Sequence, residues 1–412
     1  MAAKKIEAAV DSRARKFRIR AGALRTALGD VAAVVEARNT VPILSHVVLS
    51  AGDGLLQIHA TNLDIFATRE CGTDDRQVND AAWLAGIAPF AVAVPGKALL
   101  AILGKLDGDA MVTVEALDEA CAAQGGPVQV TAGRARFRLN GLGSADLPTA
   151  LPMASDHQFT MPATVLADAL ARVEHAISTE ETRYYLNGVY WHPLGTELCM
   201  ATTDGHRLAQ LRMDAPDGAA SFPALIVARQ TVALLDKVLA AAAKTGEAAQ
   251  VEVSATESGK MLCFSMPMAD DGTLVVQAKT IDGTFPDYAR VIPHDPPHKL
   301  TVARESLIDV IDRVSTLADG KSRAVKIELS DGTLRLSARS PEMGEASEDL
   351  PCVYEGDSIE WGFDARYFRD ALKVIATDEV RLMLGDGAGP VRIEPVGSDA
   401  PALVQVVMPI RV

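Results

Sequence analysis

The residues best suited to chemistry stand in the run Thr203-Asp204-Gly205-His206-Arg207-Leu208, where a carboxylate and an imidazole lie two positions apart. An Asp and a His so placed could trade a proton as general base and acid. Such a pair also needs a nucleophile or a polarising group beside it, and the neighbouring residues supply neither. The same Asp-Gly step has the composition of a tight hairpin turn, because glycine takes positive φ without penalty. LCMATT before it and RLAQLRM after it alternate like strands, so the run reads as a turn between them. The acidic pairs Glu180-Glu181 and Asp270-Asp271 lie in polar stretches and read as solvated loops. There is no G-x-x-x-x-G-K-S/T loop, no strand-placed G-x-G-x-x-G and no G-x-S-x-G elbow. The eight histidines show no ligand spacing. The five cysteines (Cys71, Cys121, Cys199, Cys263, Cys352) form no C-x-x-C pair and are expected as buried free thiols in a reducing compartment. The expectation is a protein with no catalytic residue, no metal and no cofactor, hence not an enzyme.

The elements that hold this run recur along the chain. Phe159, Met161 and Leu166 match Phe17, Ile19 and Leu24 upstream, and Leu300, Val302 and Leu307 downstream. After each leading Leu, apolar residues return at +4, +7 and +11. They are Leu28, Val31, Val35; then Leu170, Val173, Ile177; then Ile311, Val314, Ala318. One such stripe means a helix packed by one face. Three in phase at nearly equal intervals mean three copies of one domain.

Each copy reads strand, helix, strands, helix, strands, an α+β unit with its helices beside an antiparallel sheet. Strand-like runs in the first copy are VPILSHVVLSA, LLQIHAT, LDIFATREC, AMVTVEA and ARFRLNGL, with a turn at 124–126. The domains are expected at 17–151, 157–293 and 299–412, after a basic, disordered lead at 1–16. Proline-bearing linkers join them, too short for domains that tumble freely. An enlarged loop is expected at 72–91.

A length of 412 residues suits three domains, and 48% hydrophobic residues give each a core. No apolar run is long enough to cross a bilayer, and the lead lacks the apolar core of a signal peptide. The expected location is cytoplasmic. The net charge of −14 argues against nucleic acid until its distribution is considered. Helices read at 22–36, 96–106, 164–178, 228–245, 304–318 and 364–376 together carry +2, leaving −16 for the remainder. The helices are the basic part of an acidic chain.

Four short motifs give this repeat a resemblance. R-Y-Y-L-N-G (Arg183 to Gly188), T-D-G-H-R-L (Thr203 to Leu208), F-P-D-Y (Phe285 to Tyr288) and V-V-M-P-I-R (Val406 to Arg411) occur in that order. The chain from about Lys16 onward resembles the beta subunit of bacterial DNA polymerase III, the sliding clamp. That resemblance implies a DNA clamp fold, with a head-to-tail homodimer closing a six-domain ring. It implies a processivity factor for DNA replication that holds double-stranded DNA without sequence specificity. Partners implied are the DNA polymerase III catalytic subunit, the clamp loader, other polymerases and repair proteins, docking by a Q-L-x-L/F peptide.

Residue by residue, the resemblance implies DNA contacts at Arg38, Lys97, Tyr184, Tyr185, Arg229 and Gln230, with one of the two tyrosines given to the core. Gln230 stands where the family often has a basic residue. The implied peptide groove comprises Leu186, Thr203, Gly205, His206, Arg207, Leu208, Pro286, Val291, Tyr354, Val406, Met408, Pro409, Ile410 and Arg411. The implied dimer contact sets Thr316 and Leu317 against Phe137 and Leu139. Gln230, the Glu180-Glu181 loop and Thr316 leave a second reading open: a non-loading paralogue serving as adaptor or decoy for clamp-binding proteins.

Overall fold

The computed structural model describes residues 15–36, 40–52, 55–71, 90–117, 124–150, 152–245, 249–318, 323–385, 389–397 and 402–411. Arg38, most of the lead, residues 72–89 of the expected loop and Cys121 lie outside the described residues.

Alternating apolar residues place the strands in four antiparallel sheets. The first is β1 (Lys16–Arg20), β6 (Met111–Ala116), β7 (Gly126–Ala132) and β8 (Ala135–Gly141), in that order. The second runs β5 (Phe90–Pro95), β2 (His46–Gly52), β3 (Leu55–Thr61), β4 (Ile65–Cys71), β16 (Thr273–Lys279), β15 (Met261–Pro267), β14 (Gln250–Ala255) and β9 (His157–Pro162). The third runs β13 (Leu225–Ala228), β10 (Gly188–Leu194), β11 (Glu197–Thr203), β12 (Arg207–Asp214), β24 (Ala402–Val407), β23 (Val391–Pro395), β22 (Glu379–Leu384) and β17 (His298–Ala303). The fourth is β20 (Gly344–Pro351), β19 (Thr333–Ser340), β18 (Ala324–Ser330) and β21 (Ile359–Asp364).

Among the described residues six α-helices accompany them: α1 (Ala21–Val31), α2 (Gly96–Leu103), α3 (Ala163–Ala171), α4 (Arg229–Ala242), α5 (Arg304–Val314) and α6 (Ala365–Lys373). Every position of the three apolar stripes is buried, from Leu24 to Ala318. The helices are nonetheless shorter than their stripes. Val35, Ile177 and Ala318 sit in tightened turns, each amide bonding the carbonyl three residues back (Ala32, Glu174 and Ser315). The stripe records burial, which continues past the last α-helical bond.

The repeat is visible in the pairing. In each eight-stranded sheet the last strand of one repeat pairs with the fourth strand of the repeat before it. β16 meets β4 through six residue pairs, Ala278↔Ile65 to Thr273↔Glu70. β24 meets β12 from Arg207↔Val407 to Arg212↔Ala402. Continuous hydrogen bonding across such a seam, more than linker length, is what prevents free tumbling.

The described chain divides into two compact units, and each seam lies inside one of them. One unit holds residues up to Thr164 with Lys237–Thr256 and Met261–Lys279. Its buried polar centre is Arg69, which donates from Nε to Asp30 Oδ2 at 3.0 Å and also pairs with Asp270. Asp270 is therefore no solvated loop acid. The other unit holds Val165–Asp236, Glu257–Lys260 and Thr280–Val412. Cys71 and Cys199 are buried free thiols, whereas Cys263 and Cys352 are only half-buried.

Candidate functional site

The T-D-G-H-R-L run is the β11–β12 hairpin, with Thr203 opposite Leu208. Asp204 Oδ1 accepts from the amides of His206 (2.9 Å) and Arg207 (3.0 Å), and its Oδ2 accepts from Arg207 Nε at 3.1 Å. Thr203 Oγ1 donates to the Arg207 carbonyl (2.7 Å) and accepts from the Gly205 amide (3.1 Å). Gly205 has φ of 88°, and a Cβ there would come within 2.5 Å of Arg183 Nη1. The positive φ favours glycine here, and a side chain would also push the Arg183 guanidinium aside. The Asp204 carboxylate is committed to closing the turn, so the Asp-His pair has no base to offer a substrate.

The turn fixes Arg207. Its Nη1 donates to Asp370 Oδ2 at 2.8 Å, and its guanidinium carbon lies 4.5 Å from the Tyr367 ring centre. His206 stacks on the same ring at 6.2 Å and 18°. Arg183 braces the other side, donating to the Asp204 carbonyl (3.0 Å) and to Glu180 (2.8 Å). Glu180 is thus held by Arg183.

Behind the hairpin lies one apolar cluster. Leu186, Leu208 and Val406 are buried in it with Cys199, Ala201, Ile226, Phe285, Tyr288 and Val404. Tyr185, Tyr190, Ile281 and Ile292 pack against it half-buried. Leu208 faces Val406 across the seam, and the Met408 amide donates to the His206 carbonyl at 2.8 Å. Met408, Pro409 and Ile410 stay half-buried, while Pro286, Val291 and Arg411 are exposed. The arrangement is an apolar floor bordered by a cation, an aromatic ring and adaptable aliphatic groups, which suits an extended peptide.

A polar network lies within this floor. Tyr288 Oη meets His192 Nε2 at 2.8 Å, Gln210 Nε2 at 3.1 Å and Cys199 Sγ at 3.2 Å. Burial raises the Tyr288 phenol and the Cys199 thiol and lowers the His192 imidazole, so all three are neutral near pH 7. Deeper, burial drives His175 down to about 4 beside Arg207.

Tyr354 does not join the site. It packs beside β17, with its Oη 2.9 Å from His298 Nδ1 and donating to the Asp357 carbonyl at 2.7 Å. Three strands separate β17 from β12, so it stands roughly 19 Å from the hairpin. The aromatic residue at the rim is Tyr367, which the motifs did not single out. Its signal was present: Phe368, Ala371 and Leu372 form the buried stripe of α6, and Tyr367 lies off it. Asp370 was likewise missed, because nothing local announces an ion pair with Arg207 across 163 residues.

Of the other expected residues, Lys97 is exposed in the first turn of α2, and Arg229 and Gln230 are exposed at the start of α4. Tyr184 is 53% exposed, while Tyr185 packs half-buried against the cluster. Phe137 and Leu139 are half-buried on β8, an outer strand of its sheet. Thr316 is exposed and Leu317 half-buried in the turn after α5. Among the described residues no His, Cys, Asp and Glu group suits a metal, and no helix is long and apolar enough to cross a membrane.

Comparison with known proteins covers the whole repeat. Residues 15–152, 160–287 and 289–411 match the families described as DNA polymerase III beta subunit N-terminal, central and C-terminal domains. The beta sliding clamp of Caulobacter vibrioides is 35% identical over 402 residues, covering 96% of this chain and 100% of that protein. The beta sliding clamp of Escherichia coli is 30% identical over 396 residues, with 96% and 100% covered. A sliding clamp from Bartonella birtlesii, solved bound to griselimycin, superposes with a TM-score of 0.86 at 34% identity, covering 97% of this chain and 100% of that one.

Proposed function

The chain belongs to the DNA polymerase III beta subunit family, and we infer from that membership and from its strand edges how it works as a sliding clamp. It is a processivity factor, tethering a replicative polymerase to duplex DNA. The adaptor or decoy reading has no observation in its favour beyond the residues that first raised it.

The observation that carries the ring is the seam rule. β16 pairs with β4 and β24 with β12, which leaves β8 and β20 as outer strands without a counterpart among the described residues. A second copy satisfies both edges at once, β8 of each chain meeting β20 of the other. That is a head-to-tail contact which closes after two subunits. Phe137 and Leu139 lie on the first edge, and the turn holding Thr316 and Leu317 packs against β19 and β20.

The repeat also supplies the register. The Leu142 amide bonds the Ala93 carbonyl as the Ile281 amide bonds that of Ile226, so Arg138 takes the place of Gln277 and Arg134 that of Thr273. Glu345 opposite Arg339 takes the place of Phe66 opposite Thr61. The seam pairs Phe66↔Gln277 and Glu70↔Thr273 then set Glu345 across from Arg138 of the partner subunit, and Asp349 across from Arg134 of the partner subunit. Opposite charges directly across an antiparallel pair are favourable.

The duplex is held by encirclement, with few phosphate contacts, drawn from Lys97, Tyr184, Arg229 and Arg38, and no base reading. The groove over Leu186, Leu208 and Val406 receives the short linear motif of polymerases, clamp loader and repair proteins. The clamp performs no chemistry of its own. Sedimentation is the test of the ring: a mass twice 43.6 kDa supports it, and a monomer at micromolar concentration contradicts it.

A further inference from the structure

The groove of the second repeat has a counterpart in the first, built by the same strands. Val48 pairs with Ala93 and His59 as Tyr190 pairs with Ile226 and Ala201. Thr68 stands opposite His59 as Gln210 stands opposite Ala201, and Phe66 holds the place of Leu208. By the same register Ser50 falls where His192 does, and Leu147-Pro148 stands beside Val48 as Phe285-Pro286 stands beside Tyr190.

The side chains at these places differ in size. In the second repeat Tyr190 stacks on Phe285 at 4.8 Å, and Tyr288 closes the group edge-on, its hydroxyl held by His192, Gln210 and Cys199. In the first repeat Val48 replaces Tyr190, Ser50 replaces His192, and Leu147 takes the place of the Phe285 ring. A pocket of about 420 Å³ opens there, walled by Phe66, Leu147 and Pro148. On its floor His59 Nδ1 lies 3.1 Å from Thr68 Oγ1, a polar pair where the second repeat places Ala201 and Gln210. Burial lowers the His59 imidazole, which keeps it neutral near pH 7. Among the described residues, no side chain lining the pocket is an acid, a lysine or an arginine.

We propose that this pocket is a second docking site, and that it takes an aromatic, preferably phenolic, side chain carried on a short peptide of a partner protein. The ring occupies the volume that the second repeat fills with its own Tyr190 and Tyr288. Its hydroxyl meets the His59–Thr68 pair, as the Tyr288 hydroxyl meets Gln210. The uncharged lining disfavours a free amino acid or an ionised small molecule, whose charges would be left without partners. A peptide brings the ring without those charges. The pocket volume is within the range of about 300–1,000 Å³ usual for ligand sites.

The test uses the full chain and the tripeptide acetyl-Gly-Tyr-Gly-amide, with a benzophenone analogue of it as photo-cross-linker and mass spectrometry as readout. Cross-links are expected on residues 144–150 and on β2 to β4. The tyrosine tripeptide should suppress them and acetyl-Gly-Ala-Gly-amide should not. Thr149→Tyr, at an exposed position that lines the pocket, should cut them at least about fivefold by placing a ring in it. Labelling around Leu208 and Val406 should be unchanged in that variant, which separates this pocket from the groove already described. Cross-links found only at that groove, unchanged labelling in Thr149→Tyr, or equal competition by the alanine tripeptide would each overturn the proposal. Competition by para-cresol as strong as that of the tyrosine tripeptide would overturn its peptide part.

Discussion

Tyr367 lies under the guanidinium of Arg207, 4.5 Å from ring centre to cation, and ties the third repeat to the hairpin of the second. The contact holds Arg207 at the rim of the groove with only 13% of its side chain exposed. A cation on an aromatic face is worth about 0.5–2 kcal/mol. Tyr367→Ala should therefore weaken docking of a fluorescein-labelled Q-L-x-L/F peptide by about tenfold, read by fluorescence polarisation, with Tyr367→Phe near wild type. Unchanged binding in Tyr367→Ala would remove this residue from the groove.

The edge register makes a charge-swap prediction. Arg138→Glu should lower the dimer fraction in sedimentation, because two acids would then face each other across β8 and β20. Adding Glu345→Arg should restore it. Dimerisation by the wild type should also weaken as salt is raised. If the double variant is no better than the single one, the register is wrong even if the ring is right.

Arg69 is nearly fully buried between Asp30 and Asp270. Arg69→Met leaves two carboxylates without their cation and should cost about 3–5 kcal/mol in urea denaturation. Neutralising all three positions, with Asp30→Asn and Asp270→Asn added, should recover much of that loss. The recovery would show the penalty to be stranded charge rather than lost packing.

His175 predicts an acid limb. Burial lowers its folded pKa to about 4, against an ordinary value of 6.5. A depressed folded pKa means that the unfolded chain binds the proton first, so stability is intact above pH 6.5 and is lost as pH falls towards 4. The shift corresponds to about 3 kcal/mol at most. His175→Gln should flatten unfolding free energy against pH in that window, and an unaltered slope would contradict the assignment.

How far the sequence could be read depended on what each residue reports. Leu24, Leu166 and Leu307 with their stripes revealed three repeats because burial on a helix face leaves a period in the chain. The strands β5, β7, β13, β20 and β21 escape the pattern, and Phe90-Ala91, expected in the 72–91 loop, open β5. β7 opens on Gly126-Pro127, β13 has four residues, and β20 reads Gly-Glu-Ala-Ser-Glu-Asp, with little apolar alternation to show. The groove was legible where it lies in contiguous motifs, as at Thr203 to Leu208. Tyr354 and Tyr367 are both tyrosines of the last repeat, and only the α6 packing distinguishes them. Seams and ion pairs such as Arg207–Asp370 join residues far apart in sequence, so they carry no local pattern.

The central claim is retention by topology. The chain should be incubated with a bacterial clamp loader and ATP on nicked circular DNA, and its retention measured before and after the circle is cut. The account predicts protein that stays on circles and runs off linear DNA. Equal retention on both forms would mean ordinary contacts hold it, and the encircling mechanism would fail.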